Sequence, residues 1–117
     1  MGQAERKHIM DNITLEKMAV TAFDNQRDAK NQLYFAAEHA IESKQELEAA
    51  KAAAFTGGVI KGTNDKMRDA EMRDHLQAEY HKLETADKAE RLARHTFDMA
   101  SIEVDTVKTL LRIAELK

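Results

Sequence analysis

AFTGGVIKGTN, residues 54–64, decides how this chain folds. Three of the four glycines lie in it, at Gly57, Gly58 and Gly62, and the chain has no proline. Glycine reaches the left-handed conformation that closes helices at little cost. Proline costs a helix interior roughly 3 kcal/mol and glycine about 1. With the internal breakers confined to this stretch, the chain is expected to be helical on both sides of it and to reverse within it. Gly57 and Gly58 read as the close of one helix and Gly62 as a turn residue.

Upstream, Asn12 or Thr14 can cap a helix whose first turn carries Glu16, where the helix dipole favours an anion. From there one register persists: Leu15, Ala19, Ala22, Gln26, Ala29, Leu33, Ala36, Ala40, Ser43, Leu47, Ala50 and Ala54 recur at steps of four and three. That is a heptad seam. Most of its members are alanine, which lets a partner helix approach closely. The expected helix is 12–56, followed by a turn at 57–63.

Downstream, Thr63 or Asn64 can cap a second helix, with Asp65 and Asp69 near its positive end. No breaker interrupts it, so it is expected to run over 64–116. Its seam is Met72, Leu76, Glu79, Leu83, Ala86, Glu90, Ala93, Phe97, Ala100, Val104, Val107, Leu111 and Ala114. Glu79 and Glu90 interrupt the apolar pattern, and Tyr80 and Ala89 stand ready beside them. A short loop forces the two helices antiparallel. The expected fold is all-α: a long antiparallel two-helix hairpin, coiled-coil-like, assembling into a helical bundle. The domain reading is a flexible N-terminal segment at 1–11 and one hairpin domain at 12–117.

Composition agrees and removes several function classes. One third of the 117 residues are charged, the net charge is −3, and there is no cysteine. A disulfide framework and thiolate chemistry are therefore excluded. Mixed charge gives no general attraction to nucleic acid or to anionic lipid. No apolar run approaches the roughly 20 residues that span a bilayer. No secretory leader is expected, and the default location is cytoplasmic.

A second apolar stripe is the most informative feature. The first helix adds Ile13, Val20, Phe23, Tyr34 and Ile41 outside its seam, and the second adds Met99, Ile102, Leu110, Ile113 and Leu116. An antiparallel hairpin is expected to join these at its open end, and the turn end shows no comparable stripe. Apolar residues beyond one face mean burial on more than one side. Residues 1–11 offer only Ile9 and Met10 to cover the stripe. A homo-oligomer is the expected answer, with a twofold dimer the commonest closed form.

The residues give little chemistry. The five histidines form no i, i+4 pair; the one Glu-x-x-His spacing, Glu5 to His8, has no second copy such as a di-iron bundle needs, and Glu71 with His75 on one helix face is a two-ligand arrangement at most. The stretch 57–63 shares glycines and a lysine with phosphate loops, yet lacks the Lys-Ser/Thr after the last glycine and follows a helix instead of a strand. Lys61, Lys66, Arg68 and Arg73 cluster loosely with acids between them, so nucleic acid is not supported as a partner. No catalytic, cofactor or metal site is expected.

GVIKGTNDKMRDAEM at 58–72 and IEVDTVKTLLRIAEL at 102–116 resemble small helical proteins encoded by phages and prophages. That resemblance spans residues 57–116 and implies an accessory or host-modulating factor with a host or phage protein as partner. Phe55-Thr56-Gly57 and Tyr80-x-x-x-Glu84 also resemble secreted helical hairpins with a Trp-x-Gly turn and a Tyr-x-x-x-Asp/Glu signal. That resemblance implies an exported effector. The expected function is non-enzymatic, through protein–protein contact; a secreted effector or a nucleic-acid-binding accessory of replication or recombination is the alternative.

Overall fold

A computed structural model describes the backbone of residues 2–116 and the side chains of residues 13–116. The chain is all-α, with about 90% of its residues helical. Its elements are α1 (Gly2–Thr56), α2 (Asp65–His75) and α3 (Gln77–Glu115). The long helices pair antiparallel, as the seams require. Every seam position of both is buried or half-buried. Glu79 and Glu90 hold their half-buried places in it. Tyr80 joins the seam beside Glu79, whereas Ala89 stays exposed.

Two boundaries differ from the sequence expectation. The first helix begins at Gly2 instead of residue 12. Residues 3–12 contain neither glycine nor proline, so nothing stops the helix from propagating backwards once it is nucleated. The reading of 1–11 as a flexible segment rests on side chains outside the described residues. The expected second helix is divided at Leu76, whose backbone leaves helical geometry at φ −111°, ψ 36°. No breaker residue marks the place. Leu76 is buried in the seam, while α2 is fastened to the turn by its own contacts. The break lets each helix satisfy its own anchor. Hydrogen bonding continues across it, with Leu76 N–H donating to Met72 O at 2.8 Å and Tyr80 N–H to Leu76 O at 3.0 Å.

The chain divides into two compact units, Met1–Leu33 with Ala93–Lys117, and Tyr34–Leu92. The first has a core of Ala19, Ala22, Val104 and Val107, with Leu111 packed against it. Gln26 Nε2 donates to Ser101 Oγ across the helix pair at 3.2 Å. The second unit buries Ala40, Ser43, Leu47, Ala54, Leu76 and Ala86. There Lys82 Nζ meets Glu46 Oε2 at 2.6 Å. Burying a large aliphatic side chain stabilises by about 1.5–3 kcal/mol and one methylene by about 0.8. The α1 seam, built mainly of alanine, therefore lets its partner lie close but contributes little burial of its own.

Candidate interaction surface

All ten side chains singled out as a second stripe are exposed: Ile13, Val20, Phe23, Tyr34, Ile41, Met99, Ile102, Leu110, Ile113 and Leu116. Leu116 is 84% accessible. Tyr34 and Ile41 belong to the turn-side unit and the other eight to the first. Within the first unit, the α1 and α3 members lie on opposite flanks of the helix pair.

The first flank carries Ile13, Val20 and Phe23. Lys108 Nζ sits 5.8 Å from the Phe23 ring centroid, near the outer limit for a cation–π contact. The second flank is a run of adjoining shallow grooves. Thr14, Met18 and Thr21 of α1 border one that reaches Glu103. Asn25, Asp28 and Gln32 face Met99, Ile102 and Glu103 across the next. Ile102, Thr106, Thr109 and Leu110 line the third. Ile102 and Glu103 each border two of them, which makes the surface continuous.

The seam explains the separation. Val20 and Phe23 each follow a seam residue by one position, whereas Met99, Leu110 and Ile113 each precede one. In an antiparallel pair, residues that follow the seam on either helix share one side and residues that precede it share the other. Lys108 follows Val107, and it is Lys108 that covers Phe23. Counting Val20, Phe23, Met99, Leu110 and Ile113 against the seam residue next to each finds this in the sequence, and Ile13 joins Val20 by lying seven residues before it.

The threonines on the second flank present carbon. Thr106 Oγ1 donates to Ile102 O and Thr109 Oγ1 to Asp105 O, both at 2.9 Å. Their hydroxyls are satisfied within the helix, so a partner covering the methyl groups would strip water from few unpaired polar atoms.

The turn-side unit is not bare either, contrary to expectation. Phe35, Phe55, Val59, Met67 and Leu92 are exposed there, beside Tyr34 and Ile41. Sequence reasoning singles out Val59, with Ile60, as capping the core or touching a partner, and misses Phe35, Phe55, Met67 and Leu92, and Met18 as well. One signal was present: Ile13, Val20, Tyr34, Ile41 and Phe55 all fall at multiples of seven from one another. Tyr34 and Phe35 meet edge to face at 5.6 Å. The Tyr34 hydroxyl donates to Glu38 Oε1 at 3.0 Å. That hydrogen bond, and then the carboxylate's charge, raise the Tyr34 pKa above the ordinary tyrosine value.

The turn is closed by its own atoms. Val59 N–H donates to Ala54 O and Gly58 N–H to Phe55 O, the paired bonds of a Schellman helix end. Gly58 supplies the left-handed residue at φ +73°. Asn64 caps α2 by accepting from Met67 N–H at 2.9 Å. Glu71 Oε2 accepts from the backbone N–H groups of Lys61 and Gly62, at 2.8 and 3.0 Å. A phosphate would need such N–H groups, and here the chain's own carboxylate holds them. Glu71 is thereby a structural latch, and His75, about one turn further along α2, stands exposed.

Tyr80 receives two cations, Lys51 Nζ at 5.3 Å and Arg73 Cζ at 4.8 Å from the ring centroid. Burial acts to lower the Lys51 pKa, but interactions with Tyr80 and Glu48 outweigh it and the net shift is upward. Among the described residues, no group of three or more His, Cys, Asp or Glu is placed to hold a metal ion. No helix among them is long and apolar enough to cross a membrane.

No protein-family model matches the chain, and neither a curated protein nor a solved structure matches it.

Proposed function

We propose that this chain is a non-enzymatic helical protein that self-assembles and acts through protein–protein contact. The observation that carries this reading is the continuous run of exposed Met99, Ile102 and Leu110 with Met18 along one flank of a helix pair whose buried residues are mostly alanine. Single exposed apolar residues are ordinary on a protein surface, whereas contiguous apolar surface marks an interaction site. Association must offset lost rotational and translational freedom. Burial at about 1.5–3 kcal/mol per large side chain is enough to do so at micromolar concentration. A dimer is the simplest closed assembly.

The likeness of residues 57–116 to phage and prophage proteins supplies the setting. On that reading the chain is a cytoplasmic accessory or host-modulating factor, with a host or phage protein as its further partner. Light scattering tests the assembly: the expected mass is at least twice the 13.2 kDa chain. A monomer at about 100 μM, well above the micromolar range, would overturn it.

A further inference from the structure

We infer that the exposed stripe at the carboxyl-terminal end of α3 pairs antiparallel with the same stripe of a second copy. This rests on the self-assembly reading above and assigns its face, direction and register. Met99, Ile102, Thr106, Thr109, Ile113 and Leu116 follow one another at steps of three and four. All six are exposed. That spacing is a second heptad seam, and its natural occupant is another α-helix. The two threonines at its centre are short and internally hydrogen-bonded, so two copies can approach closely there.

The flanking charges choose the occupant and its direction. Asp98, Asp105 and Arg112 precede Met99, Thr106 and Ile113, and Glu103 follows Ile102. In a parallel pair, the residue before one layer faces the residue after the next. Asp98 would then meet Glu103 of the other copy, twice, with like charge. In an antiparallel pair, Met99 lies opposite Leu116 of the second copy, Ile102 opposite Ile113, and Thr106 opposite Thr109. Asp105 of each copy then lies beside Arg112 of the other. The charge pattern is self-complementary in that one direction, as a twofold interface requires.

The chain has no cysteine, so single cysteines report the pairing directly. Ile102→Cys and Ile113→Cys chains, oxidised separately and mixed, are compared by non-reducing electrophoresis alongside light scattering. The expected result is a cross-linked dimer in the mixture and little in either chain alone. Cross-linking of each chain with itself would mean parallel pairing and overturn the inference. A dimeric mass with no cross-link in any sample would place assembly on another face, overturning this inference while sparing the reading it rests on. A monomeric mass would overturn both. As a second variant, Asp105→Arg should weaken self-association about tenfold, since two attractive charge pairs become repulsive. Adding Arg112→Asp should restore it, and failure of that rescue in a dimeric protein would also overturn the register.

Discussion

Gln26 donates its side-chain N–H to the Ser101 hydroxyl oxygen across the helix pair, at 3.2 Å. The Ser101 hydroxyl in turn donates to Phe97 O of its own helix at 3.0 Å. A polar residue in an apolar seam fixes register at a cost in stability. Gln26→Leu should therefore raise stability by about 1 kcal/mol, because Ser101 keeps its partner and apolar surface is gained. Urea unfolding measures it. A loss of stability would show that the hydrogen bond outweighs the burial.

Ser43 is the opposite case. It is 2% exposed, and its Oγ has no hydrogen-bond partner among the described residues. A buried hydroxyl without a partner costs about 1–3 kcal/mol. Ser43→Ala should stabilise the chain by about 1 kcal/mol, converting the position to the residue most of the seam already uses. An unchanged or lower melting temperature would mean that the hydroxyl is satisfied in solution.

The turn glycines should differ in their sensitivity to alanine. A Cβ at Gly62 would meet Arg68 N at 2.9 Å and Met67 at 3.0 Å. One at Gly58 has open space but a left-handed backbone, worth about 1–2 kcal/mol of strain. One at Gly57 meets Ala53 O at 3.1 Å, with ordinary φ. The expected order of damage in thermal melts is Gly62, then Gly58, then Gly57. Glu71→Gln should weaken the latch on Lys61 and Gly62, with faster amide exchange at those two residues. Equal melts for all three glycine variants would show that loop packing does not set the turn.

The Tyr34–Glu38 bond gives a pH signature. The shift is upward, so the bond's contribution is complete below the unfolded value of about 10 and is lost as pH rises through the folded one. There are two tyrosines, and Tyr80→Phe leaves Tyr34 alone. Its tyrosinate absorbance should appear with a midpoint above about 10. Glu38→Gln should bring that midpoint down. A midpoint that ignores Glu38 would show that the contact is not populated.

Both seams are legible down to the residue, because a buried stripe on a helix has a fixed period and alanine or leucine repeating at that period marks it. Asn64 and the glycines are legible because caps have side-chain requirements. The break at Leu76 is not, since it arises where two anchored helices meet and no residue type announces it. Most of the exposed residues can be picked out, and their grouping is legible only once each is counted against the seam. Val20 and Leu110 are both apolar and exposed; which flank each occupies depends on its offset from the seam. Glu71 reads as half of a weak metal pair in the sequence because its actual partners are backbone N–H groups, which carry no sequence signature.

The antiparallel pairing also sets an order in time. Glu46 and Lys82 are 36 residues apart in the chain, and Gln26 and Ser101 are 75 apart. Closing a loop costs about 0.6 kcal/mol more for each doubling of its length. Pairing should therefore nucleate beside the glycines and zip outward, so that variants near the turn slow folding and variants at Gln26 or Val104 mainly speed unfolding. The helix end that carries the second heptad row is then the last to be settled on its own partner helix. On the pairing proposed above, a folding chain would complete its self-pairing surface only once little else remained exposed to misassemble.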